Sequence, residues 1–93
     1  MRLVFEWDHY KNHVNIMKHG VSFEDAAFVF NDPMRIERFD HKHSLAEERW
    51  IITGLAGVNI LVVNCTERAG KIRIISARKA DKKYIEEYFY GYG

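Results

Sequence analysis

The sequence predicts an α+β fold. One antiparallel sheet of four to five strands is preceded by two helices and followed by one. Three observations carry this reading. Residues 8–32 hold apolar side chains at helical spacing between capping residues. Residues 34–80 switch to β-rich runs separated by short turns, which favours consecutive antiparallel strands. The last segment returns to helical spacing. The chain of 93 residues, 47% apolar and 14% aromatic, is enough for one domain with a real core, so residues 1–93 read as a single unit.

Each element has a local cause. Leu3-Val4-Phe5-Glu6-Trp7 reads as a short first strand. Asp8 is placed to cap a helix, because its carboxylate can accept from the free N–H groups of the next turn. Tyr10, Val14 and Met17 then give one apolar stripe. Lys18 and His19 sit at the negative end of that helix, and Gly20 supplies a left-handed stop. Ser22 opens a second helix with Asp25 three residues on. Phe23, Ala26, Ala27 and Phe30 form its buried side, and Asn31-Asp32-Pro33 ends it. Met34–Phe39 approximates an alternating strand. Asp40–Ala46 is polar and reads as a solvated loop, with His41 and His43 lacking the further ligands a metal site needs. Arg49–Leu55 and Asn59–Thr66 are strands joined by a turn at Ala56-Gly57. Glu67–Gly70 turns into a further strand, and Asp81 caps a helix carrying Ile85, Tyr88, Phe89 and Tyr92. Trp7 and Trp50 read as core.

Charge is unevenly spread under a net value of +1. From Arg68 to Lys83 there are seven basic residues against Asp81 alone, which suits a local anion-binding face rather than a surface basic all over. Cys65 is the only cysteine, so no intramolecular disulfide can form, and its apolar strand marks it as an inert buried thiol. No signal or membrane-spanning stretch is visible, which gives a cytoplasmic expectation with no membrane partner.

The densest chemistry is in Gly70-Lys71-Ile72-Arg73-Ile74-Ile75-Ser76-Ala77-Arg78-Lys79-Ala80. Its β-branched residues carry cations and a hydroxyl on or just past a rigid strand, a set suited to a phosphodiester. The alternative is a solvated edge strand with basic gatekeepers.

Together with Phe5-Glu6-Trp7-Asp8, Lys18-His19-Gly20-Val21-Ser22-Phe23, Ala26 with Val29-Phe30-Asn31-Asp32-Pro33, Glu48-Arg49 and Thr66-Glu67-Arg68, this segment resembles the BrnT toxins. These belong to the RelE-like ribonuclease toxins of type II toxin–antitoxin systems. The resemblance implies a small RelE-like toxin that cleaves RNA without a metal or other cofactor and inhibits translation. It also implies a BrnA-like antitoxin that binds DNA, so that operator DNA is contacted only through the antitoxin.

Metal-free RNA cleavage needs a base for the 2′-hydroxyl, charge stabilisation at phosphorus and a proton for the leaving oxygen. Arg78, Arg73 and Arg49 are the candidates for charge stabilisation, with Arg68 next; salt bridges to Glu48 or Glu67 are the alternative. Strand alternation places Arg73 on one face and Ser76 and Arg78 on the other. Glu48 and His19 are the candidate bases, although neighbouring cations weaken a glutamate as a base and His19 also suits a helix cap. Lys18, Arg68, Ser76, Lys79 and Tyr88 are candidates for RNA binding; the spacing of Tyr88 with Ile85 and Phe89 equally suits core packing. A non-catalytic module gripping nucleic acid or an acidic partner through the same strand is the competing function.

Overall fold

The computed structural model of the protein describes residues 2–91; Tyr92, expected on the last helix, lies outside the described residues. The elements are β1 (Phe5–Glu6), α1 (His9–His19), α2 (Phe23–Ala27), β2 (Ile36–Phe39), β3 (Arg49–Ala56), β4 (Asn59–Arg68), β5 (Lys71–Lys79) and α3 (Lys82–Tyr90). Single 3-10 segments span Phe28–Asn31 and His41–His43.

The sheet has five strands in the order β1-β5-β4-β3-β2. Strands β2 to β5 form an antiparallel meander. β1 instead runs parallel to β5, with Phe5 opposite Ile72 and Glu6 opposite Arg73, so the sheet is mixed rather than wholly antiparallel. Tight turns force neighbours to alternate direction only within the meander. β1 is separated from it by two helices, and such a crossover permits parallel pairing at the edge.

The helix ends follow their capping residues. The Asp8 carboxylate accepts from the Lys11 N–H at 2.9 Å, and the Ser22 hydroxyl accepts from the Asp25 N–H at 3.0 Å. Gly20 closes α1 at φ 69°, its N–H bonded to the Ile16 carbonyl at 2.8 Å. The second helix is shorter than expected: it tightens to 3-10 geometry at Phe28 and stops at Asp32, before Pro33.

One face of the sheet holds the core. Phe23 and Ala26 of α2, with Val29 and Phe30 of the 3-10 turn, pack on Ile52, Leu61, Val63, Cys65, Ile74 and Ala77. Trp7 meets the Phe23 ring edge-on at 6.2 Å, and Trp50 meets Phe39 at 5.3 Å; both indoles are half-buried against this core. Burial pushes the Cys65 thiol up to about 12, which leaves it protonated and inert.

The expected apolar stripe of α1 is not buried. Tyr10 and Met17 are 74% and 76% exposed, and Val14 is also exposed. The helix docks through a polar residue instead. Asn15, the one buried residue of α1, donates from Nδ2 to the carbonyls of Val21 and Ala77, each at 2.8 Å, and accepts from the Ala77 N–H at 3.2 Å. The edge of β5 beyond β1 thus finds in a side-chain amide what a neighbouring strand would supply. One turn earlier, Asn12 accepts from the Phe23 N–H at 2.8 Å and donates to Glu24 at 3.0 Å, which fixes α2 against α1.

The second face carries α3. Arg38 Nη2 meets Glu87 Oε2 at 2.7 Å, and the Tyr88 hydroxyl donates to Asp32 Oδ2 at 2.5 Å. Asp32 also accepts from the Leu55 and Met34 N–H groups, both at 2.8 Å, so it ties the 3-10 turn, β3 and α3 together.

Candidate active site

The second face is where the chemistry collects. Paired registers put Arg49 and Ile51 of β3, Val62 and Asn64 of β4, and Ser76 and Arg78 of β5 on one side of the sheet. They floor a groove of about 400 Å³ whose walls are Tyr84 of α3 and the segment Asp40, Lys42 and His43.

A β-bulge shapes this floor. Asn64 opposes Ser76 whereas Cys65 opposes Ile74, so Ile75 is the extra residue. The bulge resets the alternation. Arg73, opposite Thr66, therefore shares the face of Ser76 and Arg78, contrary to a strict period of two. Arg73 still does not reach the groove. Five residues of strand, roughly 15 Å, separate it from Arg78, and its Nη1 is held by Glu6 Oε2 at 2.7 Å beside β1.

The two groove arginines are loosely held. Arg78 lies over the Tyr84 ring at 5.2 Å, with Nη1 3.7 Å from Asp81 and 3.5 Å from its neighbour's carbonyl. Arg49 is 3.6 Å from Glu47, and its Nε is buried without a hydrogen-bond partner. That N–H is a buried donor with its hydrogen-bonding demand unmet. Asn64 Nδ2 donates to Ser76 Oγ at 2.7 Å, which leaves the serine O–H free to donate in turn.

The segment read as a solvated loop is fastened to β3. The Asp40 N–H bonds the Arg49 carbonyl at 2.8 Å, and the Arg49 N–H bonds Ser44 Oγ at 2.9 Å. Ser44 Oγ also donates to the Asp40 carbonyl. Within it, His43 Nδ1 meets Asp40 Oδ2 at 2.9 Å. Burial pushes the Asp40 pKa up, but the His43 side chain together with the His43 and Lys42 backbone N–H groups outweighs it, and the carboxyl stays below its usual value. Among the described residues, no three His, Cys, Asp or Glu side chains are grouped as a metal site requires.

The other sequence candidates lie elsewhere. Glu48 is exposed and outside the groove, and its carbonyl accepts from Thr66 Oγ1 at 2.6 Å. The acidic partner in this region is Glu47, which accepts from Arg68 in three contacts of 3.0–3.2 Å. Lys18 and His19 are exposed at the end of α1, which docks on the edge of β5, and neither lines the groove. Lys79 borders a separate cavity of about 580 Å³ between Val21, Phe28 and Val58. The Tyr88 hydroxyl is engaged by Asp32, which holds its pKa up near 12.

Residues 7–83 match the family model for BrnT, the ribonuclease toxin of type II toxin–antitoxin systems. The chain belongs to the BrnT family. The match runs from Trp7 through Lys83 and so takes in the groove floor on β3, β4 and β5 and the Asp40–Ser44 turn. Membership in a type II system implies an antitoxin as the protein's partner. Among curated proteins, none matches the chain. No helix among the described residues is long and apolar enough to cross a membrane.

Proposed function

We propose that this BrnT protein is a metal-independent endoribonuclease and that the second-face groove is its active site. The observation that carries the reading is the meeting of Arg49, Arg78 and Ser76 in one groove. RNA cleavage by its own 2′-hydroxyl passes through a crowded phosphorane bearing extra negative charge. Two guanidiniums that keep their charge at any working pH stabilise it by paired N–H donors. Ser76 orients a non-bridging oxygen, and Lys42 at the rim attracts the neighbouring phosphates. Arg73 and Arg68, already paired with carboxylates, contribute to the surrounding field rather than to the reacting phosphate.

Cleavage of messages in the cytoplasm inhibits translation, and the fold kinship is RelE-like. A BrnA-like antitoxin neutralises the toxin and carries the complex to operator DNA. Phe89 and Tyr90 support that partnership: they are 64% and 83% exposed at the end of α3. Burial of two such rings is a large apolar contribution to an interface.

The test is incubation of the purified protein with a short defined RNA, with and without EDTA. Cleavage that persists in chelator supports the reading. Binding without cleavage replaces it by a non-catalytic module, and cleavage abolished by EDTA removes metal independence.

A further inference from the structure

We propose that His43 is the general base of the groove and that Asp40 is its positioning residue. The inference rests on the ribonuclease reading and adds the proton acceptor that the arginines cannot supply.

Three observations carry it. His43 and Asp40 line the same groove as Arg49, Ser76 and Arg78. The Asp40 carboxylate lies 2.9 Å from Nδ1, which fixes the tautomer with hydrogen on Nδ1 and the lone pair on Nε2. The turn is not free to wander: the Asp40 N–H is bonded to the Arg49 carbonyl, and Ser44 bridges Asp40 and Arg49. The dyad is therefore indexed to the backbone of one of the two phosphate-binding arginines. An oriented imidazole next to two guanidiniums is what a transphosphorylation site requires.

The step balances without a co-reactant. Nε2 takes the proton of the 2′-hydroxyl as the 2′-oxygen bonds to phosphorus. The bond from phosphorus to the 5′-oxygen breaks, and that oxygen receives a proton returned from the imidazolium through solvent. The products are a 2′,3′-cyclic phosphate and a 5′-hydroxyl. The charged or titratable groups that share the groove with His43 are Asp40 and Lys42 on its own turn, Arg49 from β3, Arg78 from β5 and Tyr84 from α3.

The experiment is single-turnover cleavage of a short RNA by the full chain, comparing wild type with His43→Ala, Asp40→Asn and Arg78→Ala. The His43 side chain is 57% exposed, so its removal leaves the core intact, and circular dichroism checks this. His43→Ala is expected to cut at least 100-fold more slowly. Added imidazole should restore part of that loss, which it cannot do for a structural defect. The wild-type rate should rise with pH to a plateau, as it does when a base must be unprotonated to act, and the variant should lack this rise. Asp40→Asn should keep the fold but shift the pH profile. A substrate with a 5′-bridging sulfur, whose leaving group needs no proton, should not rescue His43→Ala. Rescue by that substrate would assign His43 to the acid role and overturn the proposal. A wild-type rate in His43→Ala, with Arg78→Ala still slow, would overturn the base while leaving the ribonuclease reading intact. Wild-type protein that forms no cyclic phosphate ends would overturn both.

Discussion

Replacing Asn15 should unfold much of what positions the site. The Asn15 amide satisfies three buried backbone groups: the N–H and carbonyl of Ala77 and the carbonyl of Val21. Ala77 lies between Ser76 and Arg78 and faces the core at 1% exposure. Each buried group left without a partner costs about 1–3 kcal/mol, so Asn15→Ala, which strands three, should lose roughly 3–9 kcal/mol. The whole stability of a domain this size is about 5–15 kcal/mol. Asn15→Leu separates the causes, because leucine nearly preserves the volume but none of the hydrogen bonds. If the amide's bonds dominate, both variants fall together; if the loss is a cavity, leucine recovers most of it. The assay is urea unfolding at pH 7, with equal slopes required before midpoints are compared. A loss under about 1 kcal/mol in Asn15→Ala, or a near wild-type Asn15→Leu, would refute the claim that this amide pins β5.

Three further outcomes follow from the same contacts. Gly54→Ala should cost about 1–3 kcal/mol, since the added Cβ would meet Val29 Cβ at 3.0 Å and its carbonyl oxygen at 3.1 Å; a neutral midpoint in urea would contradict the packing. Tyr88→Phe should cost about 1–2 kcal/mol at pH 7. Burial raises the Asp32 pKa, but the Tyr88 hydroxyl and two N–H groups more than reverse this, so its stabilising effect is lost as pH falls below the usual 3.8. The Asp32 contact raises Tyr88 to about 12, so that contribution is full below pH 10 and is lost as pH climbs beyond it. A wild-type minus variant difference that stays constant from pH 3 to pH 11 would contradict the pair. Arg73→Ala should weaken folding by about 1 kcal/mol through its half-buried bridge to Glu6 and slow RNA cleavage less than tenfold; a hundredfold loss of cleavage in a folded variant would bring it back into the site.

The elements governed by local chemistry were legible. Asp8, Ser22, Gly20 and Asp81 mark helix ends because a cap is a contact within four residues. The meander was legible because its turns are short. What escaped depends on contacts across the chain. Parallel pairing of β1 with β5 joins residues 67 positions apart, as the Glu6–Arg73 bridge does. The bulge at Ile75 arises from β4–β5 pairing and reverses the facing of everything before it. Tyr10, Val14 and Met17 have the spacing of a buried stripe, yet Asn15 is the residue that docks, because only its amide can satisfy the open edge of β5. Arg78, Ser76 and Arg49 were visible as chemistry, but their meeting in one groove was not. His43 reads as a solvated loop residue in sequence because its partner Asp40 and its anchor Ser44 gain meaning only when folded against Arg49.

The most direct measurement is single-turnover cleavage of a short RNA by wild type, Arg78→Ala and Arg78→Lys, each first shown to be folded, with RNA affinity measured alongside. If Arg78 acts mainly on the charge that develops at phosphorus, Arg78→Ala should lower the cleavage rate by roughly two to three orders of magnitude while RNA binding weakens far less. Lysine should recover only part of the loss, because a point charge cannot reproduce the guanidinium fork. A wild-type cleavage rate in Arg78→Ala would contradict the account and move the phosphate-binding role to Arg49.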